Sequence, residues 1–598
     1  MPGLYSSVSK IACIIILFMA GGMGMNYAQS SMTPEMKQKM LQDMLREKMH
    51  TVPQSAEEPD MSSMERTTSS IGAEKKLTTN VVTSAEESET AIIVDPNDSN
   101  NLVVSFMSQS TSLPLSFPIY FSSDHGTTWT RSSFSTQFIN STDFPGGTLA
   151  GGGDPVFAWD KVSNTLYFGW IYLTLNPAFD TSFFTLNWAY STDKGHSWQV
   201  QPGVNHFIGQ GAEDPSTGAG FNYKDGICDR EWFAVDNSGG PRQGTLYCAY
   251  ISFAKGGECV KSKSASATSF GTANLAYGGA SQLVNIEVDH TGKLHMTFAD
   301  INFNILYHTY SSTGGLPFHG PHNIYNGTNL FGKDSIVHGR ENAAPSLGID
   351  ANNNLHVAWC DYKLGKVYAY YSRSSDSGLH WTVPKRLDSL SPAFSGKMMF
   401  MPTITAAGNS VTITVTAIDP APGDSARVFQ FTSTDGGQTW GNWPILLSSS
   451  ATYYKQYQPY AAYFFGDYNK SVSTSCMAYA IWEDGRKTQG PKVYMATTNH
   501  CTLGVNQVSA VTASLQLQSV YPNPASGHII LQFTDSKEEE ITVSINDING
   551  KKVAEQTYHT QNGSQNILMP LHLNAGMYVL SVNDVDGLIA TRNLQIVK

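Results

Sequence analysis

The sequence predicts an all-β fold: a β-propeller of seven blades, with six blades as the alternative, followed by a small immunoglobulin-like β-sandwich. Three observations support this prediction: a turn motif that recurs, a pair of apolar runs that recurs, and a change of pattern near residue 515. Short strands at regular spacing favour an all-β repeat architecture, and radial repetition protects the strand edges that single units would expose.

One eight-residue pattern, Ser-x-Asp-x-Gly-x-x-Trp, occurs four times. The copies begin at Ser122, Ser191, Ser374 and Ser433; their carboxylates are Asp124, Asp193, Asp376 and Asp435, and their indoles are Trp129, Trp198, Trp381 and Trp440. A fixed motif at a fixed period indicates one supersecondary unit copied many times. We expect hairpin turns in which the Asp accepts hydrogen bonds from its own loop and the Gly has a positive φ. The Trp would then fill the space between neighbouring units.

The wide gap between Asp193 and Asp376 predicts two decayed copies of the motif, since it spans about three repeat lengths. Residues 311–318 look like one of them, and residues 265–270 are the candidate for the other.

A second repeat consists of two apolar runs joined by an Asp or another polar turn. Seven instances are present: 90–95 with 102–106, 156–160 with 166–170, 232–236 with 246–250, 284–289 with 294–298, 346–350 with 355–359, 402–407 with 411–418, and 468–473 with 478–482. This count favours seven blades, although the third instance is the least regular. We expect residues 76–84, with Val81 and Val82, to supply the outer strand of the last blade, because an open ring leaves an unpaired edge.

The turn motif resembles the Asp-box, or BNR repeat, of the sialidase-like β-propellers. That resemblance implies a structural turn at the rim, away from the catalytic centre, and the related sialidases have six blades. It also implies a site in which three arginines hold the substrate carboxylate, a Tyr–Glu pair is the nucleophile and an Asp is the acid/base. The family's Phe/Tyr-Arg-Ile-Pro signature is absent here, since Phe400-Met401-Pro402 lacks the arginine.

The N-terminal residues predict export. Lys10 precedes the apolar stretch 11–19, and small residues follow up to Ala28, so residues 1–28 are predicted to be a secretory signal peptide. Residues 29–75 predict a short helix and a disordered linker, and residues 76–505 the propeller. No later stretch is long enough to span a membrane. The net charge of −12, without any dense basic run, gives a nucleic-acid partner little support.

Residues 515–598 carry a different pattern, in which alternating strands are separated by Asn-Gly and Asp-Gly turns. Tyr521-Pro-Asn-Pro, Asn549-Gly-Lys, Gly576-Met-Tyr and the final Lys598 resemble the type A sorting domain of the type IX secretion system. The resemblance implies a bacterium of the Bacteroidetes group and a protein that the secretion machinery carries to the cell surface or releases. The alternative is an immunoglobulin-like carbohydrate-binding module.

Charged residues make up only 14% of the chain, yet they gather where the innermost strands begin and the second strands end. At the starts of the innermost strands these residues are Asp154, Asp229, Arg230, Glu231, Arg340, Glu341 and Asp467, which precedes Tyr468. At the ends of the second strands they are Asp300, Asp361, which precedes Tyr362, and Glu483, Asp484 and Arg486. Such clustering favours a functional funnel, although structural ion pairs at a channel rim also gather charge.

The resemblance assigns roles within this set. Arg230, Arg340 and Arg486 would hold a carboxylate, Tyr468 or Tyr362 would be the nucleophile beside Glu231 or Glu341, and Asp154 the acid/base. Five tryptophans could stack on sugars, but their positions within predicted strands favour packing between blades. They are Trp159, Trp170, Trp232, Trp359 and Trp482.

Three functions follow from these assignments. The first is a sialidase-like glycoside hydrolase, the second a non-catalytic propeller that recognises a glycan or glycoprotein, and the third a polysaccharide lyase using His338 or Tyr468 as base. No histidine cluster indicates a metal and no cofactor is predicted, while calcium in an Asp-rich turn stays open.

Overall fold

The structure is a computed structural model in which the chain forms two compact units, Met1–His500 and Cys501–Lys598. It describes residues 73–76, 86–109, 115–136, 142–177, 182–202, 206–213, 228–252, 254–330, 340–341, 344–363, 365–391, 394–418, 425–441, 444–453, 464–486, 491–499, 515–535, 538, 540–547, 551–584 and 587–597. The predicted signal peptide, residues 1–28, and residues 29–72 of the predicted linker lie outside the described residues.

The described part of residues 73–499 contains seven antiparallel sheets of at least four strands. The strands pair in sequence order, except that sheet 6 has a fifth strand and sheet 7 takes its outer strand from the start of this range. The first strand in the chain is β1 (Ala73–Lys76). Sheet 1 contains β2 (Glu86–Val94), β3 (Leu102–Gln109), β4 (Ile119–Ser122) and β5 (Thr130–Arg131), and sheet 2 contains β6 (Thr148–Asp160), β7 (Thr165–Leu175), β8 (Ser182–Ser191) and β9 (Phe207–Glu213). Sheet 3 contains β10 (Cys228–Val235), β11 (Leu246–Ser252), β12 (Gly257–Lys263) and β13 (Asn274–Tyr277), and sheet 4 contains β14 (Ser281–Val288), β15 (Leu294–Asp300), β16 (Ile305–Ser311) and β17 (His319–Asn326).

Sheet 5 contains β19 (Ser346–Ile349), β20 (Leu355–Lys363), β21 (Lys366–Ser374) and β22 (Lys385–Arg386), and the short strand β18 (Arg340–Glu341) precedes it. Sheet 6 contains β23 (Met398–Ala407), β24 (Ser410–Ile418), β25 (Ser425–Ser433), β26 (Ile445–Leu446) and β27 (Thr452–Tyr453). The short strand β28 (Phe464–Gly466) follows, and sheet 7 contains β29 (Lys470–Ser473), β30 (Met477–Asp484) and β31 (Lys492–Asn499). A 3-10 turn at Leu387–Ser389 follows β22. The short strands β18 and β28 pair in parallel with each other.

The first strands of the sheets form a closed ring. Each first strand contacts the first strand of the sheet before and after it, and β29 of sheet 7 contacts β2 of sheet 1. This arrangement is a β-propeller with the first strands innermost, so the predicted fold is confirmed. Each predicted pair of apolar runs lies on the first and second strands of one sheet.

The last sheet is completed by a segment from before the ring. The strand β1 pairs with β31 and is the outer strand of sheet 7. The closing residues are Ala73–Lys76 instead of the predicted 76–84, and Val81 and Val82 lie outside the described residues. The closing strand has to come earlier, because the chain must then cross a sheet about 14 Å wide to reach the innermost β2.

The four box turns have the predicted geometry. Asp124 Oδ1 accepts hydrogen bonds from the Thr128 N–H at 2.7 Å and the Ser122 hydroxyl at 2.8 Å. Gly126 has a φ of 78° and donates its N–H to the Ser122 hydroxyl. The same contacts recur in the other three copies. The Thr128 N–H lowers the pKa of Asp124 to about 2.

Three box tryptophans fold back onto their turns as predicted, and Trp440 packs on Tyr371 but lacks this indole hydrogen bond among the described residues. The Trp198 indole N–H donates to the Gly195 carbonyl at 3.2 Å, and equivalent bonds form at Trp129 and Trp381. The Trp198 ring lies 5.9 Å from Phe134 and 6.1 Å from Phe157, which places it between sheets 1 and 2. Box turns therefore join neighbouring sheets at the rim.

The two decayed copies keep part of this geometry. In the first, the Thr313 hydroxyl contacts the Ser311 hydroxyl at 3.1 Å in place of the carboxylate, and Gly315 donates its N–H to Ser311. In the second, Phe270 replaces the tryptophan and lies 5.8 Å from the Trp188 ring.

The C-terminal unit is a small β-sandwich. Its strands are β32 (Leu515–Tyr521), β33 (His528–Asp535), β34 (Glu540–Asp547), β35 (Lys552–His559), β36 (Gly563–Pro570), β37 (Gly576–Asp584) and β38 (Gly587–Ile596). They form a three-stranded sheet, β32-β33-β36, and a four-stranded sheet, β35-β34-β37-β38. Buried side chains of both sheets, among them Leu531, Val543 and Leu580, share one core.

Two further features concern export. Within the described ranges, none of the helices has the length and apolar character needed to cross a membrane. Cys476 is disulfide-bonded, as an exported protein permits.

Candidate functional site

Five innermost strands carry the same β-bulge around the axis of the propeller. At each bulge the pairing register shifts and one non-glycine residue has a φ between 51° and 64°: Glu89, Asp154, Arg230, Leu283 and Met401. A positive φ is uncommon for such residues, and a bulge re-aims the side chain of its unpaired residue. Sheets 1, 2 and 3 place charged residues at this position, whereas sheets 4 and 6 place apolar ones there.

The positions predicted for two residues relative to the innermost strands were wrong. Asp154 and Arg230 were expected just before the innermost strands, but they lie inside β6 and β10. The reason is that a bulge interrupts the alternation of apolar residues without ending the strand, so the apolar pattern starts later than the strand does.

A relay of carboxylates links the first three sheets. Glu89 Oε2 accepts the backbone N–H of Asp154 at 2.9 Å, and Asp154 Oδ2 accepts the backbone N–H of Arg230 at 3.3 Å. The guanidinium of Arg230 returns towards Asp154, with Nη1 3.8 Å from Oδ1. Asp154 and Arg230 are thus each held by a side chain of the preceding sheet.

Sheet 7 closes this cluster with an aromatic ring. The guanidinium carbon of Arg230 lies 3.9 Å from the ring centroid of Tyr468 and 5.2 Å from that of Trp232. The Tyr468 hydroxyl donates to the Pro155 carbonyl at 3.3 Å. Arg230 is only 4% exposed, and among the described residues its three guanidinium nitrogens have no hydrogen-bond partner.

Burial sets the protonation states of the cluster. It raises the pKa of Asp154 to about 8; Asp229 adds to this increase, and Arg230 opposes it. Burial also raises the pKa of Glu231 and of Tyr468 well above their ordinary values. At neutral pH, Asp154 is therefore mostly protonated and leaves the charge of Arg230 uncompensated by its nearest carboxyl group.

These features define what the cluster can do chemically. A guanidinium binds carboxylates through two parallel hydrogen bonds, and a carboxylic acid that stays protonated near neutral pH can act as a general acid. Of the predicted site residues, the structure brings together Asp154, Arg230, Glu231 and Tyr468.

Arg486 lies elsewhere. Its Nη2 is 2.6 Å from Asp484 Oδ2, and its guanidinium lies 3.9 Å from the Tyr494 ring centroid. Asp484 also accepts the Thr452 hydroxyl, which places this pair between sheets 6 and 7. Glu483 points to the opposite face of β30, since successive strand residues alternate, and its Oε1 lies beside Gly466. The described contacts of Arg486 are thus separate from those of Arg230.

The backbone of Arg340 and Glu341 adjoins the cluster, because β18 pairs with β28, which immediately precedes Asp467 and Tyr468. The side chains of Arg340 and Glu341, and all of His338, lie outside the described residues.

Several other predicted charges hold turns. Asp361 Oδ1 accepts the backbone N–H groups of Thr328 and Asn329, and Asp300 Oδ1 accepts those of Asn304 and Ile305. Tyr362, the alternative to Tyr468, packs beside the apolar cluster of sheets 5 and 6. The five tryptophans considered as sugar platforms are each no more than 4% exposed, in keeping with packing: Trp159, Trp170, Trp232, Trp359 and Trp482.

Sequence reasoning missed Glu89, which holds the Asp154 backbone, and Lys470, whose ammonium lies 4.5 Å from the ring centroid of Trp232. A signal for Glu89 exists: it stands six positions before the turn residue Asp95, as Asp154 stands before Asp160 and Arg230 before Asp236. Aligning the repeats on their turn aspartates would have placed it with the other two. Lys470 has no comparable signal, because the aspartate turn is absent from the last repeat.

In the part of the chain that the structure describes, no group of three or more His, Cys, Asp or Glu side chains is arranged to hold a metal ion.

Residues 519–597 match the family model described as a secretion system C-terminal sorting domain. The C-terminal unit is therefore a type IX sorting domain, as its sequence motifs predict, and the protein is secreted or attached to the outer membrane. No curated protein matches the chain.

Solved structures similar to this chain include the Hadza microbial sialidase Hz136, at 13% identity and a TM-score of 0.36, with 69% of this chain and 66% of that one covered. A PL25 ulvan lyase bound to a polysaccharide fragment gives 10% identity and a TM-score of 0.38, covering 69% and 94%. The lectin of Aleuria aurantia gives 13% identity and a TM-score of 0.32, covering 62% and 98%. The chain thus spans about two thirds of the length of the sialidase. The propeller fold follows from the ring of sheets described above.

Proposed function

We propose that the propeller binds an acidic glycan at the cluster of Asp154, Arg230, Glu231 and Tyr468. The observation that carries this proposal is the guanidinium of Arg230, which is buried, lies on the Tyr468 ring and lacks a hydrogen-bond partner among the described residues. A buried charged group without hydrogen bonds costs free energy, and a ligand carboxylate would supply the bidentate partner that the planar fork of arginine favours.

The class of ligand follows from the box turns and from the export of the protein. The box turns resemble those of sialidase-like propellers, and the C-terminal sorting domain directs the protein out of the cell. An acidic sugar, a sialic acid or a uronate, combines the carboxylate that Arg230 requires with a ligand found outside cells.

Hydrolysis of that glycan is the second candidate function, and the pKa of Asp154, raised to about 8 by burial, favours it. A protonated Asp154 could donate its proton to the leaving oxygen, as the general acid of a glycosidase does, while water supplies the oxygen that joins the sugar carbon. Binding ranks first because Arg486 is engaged by Asp484, so the three-arginine arrangement implied by the resemblance is not assembled from Arg230 and Arg486.

The test is calorimetric titration of the full-length secreted protein with sialosides and uronate oligosaccharides, each paired with its uncharged methyl ester. We expect acidic ligands to bind and the esters to bind at least about tenfold more weakly, since a charge-assisted hydrogen bond contributes about 1.5–3 kcal/mol. Arg230→Gln should abolish this preference.

Arg386→Gln is the matched control, because Arg386 also lies on a tyrosine ring, 3.6 Å from the centroid of Tyr368, and pairs with Asp388. Equal losses in both variants, or no binding of any acidic glycan, would overturn the proposal. The same samples are also assayed for turnover of the ligand. Turnover that is lost in Asp154→Asn, while that variant still binds the ligand, would establish the hydrolase.

A further inference from the structure

Lys470 places a second cation on the aromatic ring that flanks Arg230. Its Nζ lies 4.5 Å from the ring centroid of Trp232, and the guanidinium carbon of Arg230 lies 5.2 Å from the same centroid. Trp232 in turn packs edge-to-face on Tyr468, at 5.6 Å and 75°. The two cations are therefore closer together than about 10 Å, the distance over which 0.1 M salt screens charges.

No carboxylate neutralises Lys470 directly. Within the described residues Lys470 forms neither an ion pair nor a hydrogen bond, and it is only partly buried. Glu287 of sheet 4 is the opposing charge that favours its protonation, while burial and the nearby Arg230 lower the pKa of Lys470. Burial also raises the pKa of Glu287, and Lys470 opposes this increase.

Two cations of different chemistry suit two different acidic groups. The planar guanidinium of Arg230 can hold one carboxylate through both oxygens, whereas the ammonium of Lys470 acts as a point charge with rotatable donors. The Trp232 ring is a neighbour of each cation, and their different chemistry favours one acidic group for each. A ligand with acidic groups on neighbouring sugars would relieve the repulsion between the cations.

We propose that Arg230 and Lys470 form a two-cation site on Trp232 that selects glycans with acidic groups on two adjacent sugars. This inference rests on the proposed function and names its ligand: a stretch of polyuronate or a comparable polyanionic glycan, in contrast to a glycan with a single terminal acid.

The experiment compares the binding of a di-uronic acid disaccharide with that of its two monomethyl esters, using the full-length protein and the variant Lys470→Met. Methionine keeps the apolar stem over Trp232 and removes the charge. We expect the diacid to bind the wild-type protein at least tenfold more tightly than either ester. Lys470→Met should weaken binding of the diacid and abolish its preference over the more tightly bound ester.

Lys263→Met is the matched control, since the ammonium of Lys263 also lies on aromatic rings, 5.3 Å from the centroid of Tyr167 and 5.5 Å from that of Trp188. It should keep the preference for the diacid. If the wild-type protein binds the diacid and the esters equally, the two-cation site is wrong and the proposed function stands. If it binds none of the three, this inference fails, and the sialoside titrations described above then decide the proposed function.

Discussion

The carboxylate of Glu89 accepts the backbone N–H of Asp154 at 2.9 Å, across the boundary between sheets 1 and 2. Both residues have a positive φ and both are buried. The contact therefore satisfies a buried donor at a point where the bulge removes its strand partner. It also fixes the backbone from which the Asp154 side chain reaches Arg230.

We expect Glu89→Ala to lower the free energy of unfolding by about 1–3 kcal/mol, the cost of leaving a buried donor without an acceptor. Glu89→Gln should lose less, because its amide oxygen can accept the same N–H. Urea denaturation of the two variants and the wild-type protein measures the difference. Equal losses would mean that the charge of Glu89 matters instead of its hydrogen bond to Asp154.

The affinity for an acidic ligand should depend on pH through Asp154. Burial raises the pKa of Asp154 to about 8, so below that pH the group is mostly neutral and Arg230 is available to a ligand carboxylate. Above it the Asp154 carboxylate, 3.8 Å from the guanidinium, competes with the ligand. Affinity should therefore fall as the pH rises through about 8.

Titrations of the ligand between pH 6 and pH 9.5 test this prediction, with Asp154→Asn as the variant that cannot ionise. The variant should lose most of the pH dependence. Tyr468 packs on Arg230, Glu231 interacts with Asp154, and both have raised pKa values. Ionisation of either adds negative charge to the cluster and acts in the same direction, as do Asp229 and Asp467. An affinity that rises with pH would contradict the assignment of Asp154.

The propeller was predictable because its signals are local and repeated. A box turn needs an Asp, a Gly and a Trp at fixed spacing, and the structure uses Asp124, Gly126 and Trp129 for the predicted contacts. The closing strand was placed a few residues too late, since the Ala73–Lys76 strand has no apolar pattern and is defined only by its partner β31.

The site was predictable only in part. Asp154, Arg230, Glu231 and Tyr468, which the structure places together, were grouped because charge is scarce in this sequence and conspicuous near a strand; their roles stay predictions. Arg486 was grouped with them by its position at a strand end, but the alternation of β30 turns Asp484 and Glu483 to opposite faces. Which face points inward depends on register, and register is a property of the assembled sheets.

Glu258 should make stability depend on pH away from the candidate site. It is fully buried on β12, and burial raises its pKa to about 8, although the Ser281 hydroxyl opposes this. A folded-state pKa above the ordinary 4.5 means that stability is full below about pH 4.5 and is lost as the pH rises towards 8. Within that window the loss is at most about 1.4 kcal/mol per pH unit.

Glu258→Gln removes the ionisation. The free energy of unfolding of the variant, relative to the wild-type protein, should increase between pH 5 and pH 8 and then level off. Chemical denaturation at several pH values measures it, and a difference that stays constant with pH would contradict the raised pKa.

The box glycines should be sensitive to a single added methyl group for two separable reasons. Gly195 has a φ of 87°, and a Cβ there would lie 2.9 Å from Val103 Cγ2 on the preceding sheet. Gly239 has a similar φ of 79°, but nothing lies within 4 Å of a Cβ at that position. Both alanine variants pay for the left-handed backbone, at about 1 kcal/mol, and only Gly195→Ala also forces Val103 to move.

We therefore expect Gly195→Ala to lower the melting temperature more than Gly239→Ala, with the excess reflecting overpacking of about 1–3 kcal/mol between sheets 1 and 2. Truncating the neighbour gives the decisive comparison, since Val103→Ala makes room for the new methyl group. In a double-mutant cycle the Gly195→Ala change should then cost less in the Val103→Ala background than in the wild-type protein. Additive losses would show that the box turn does not rest on sheet 1, and the packing role of its glycine would be wrong.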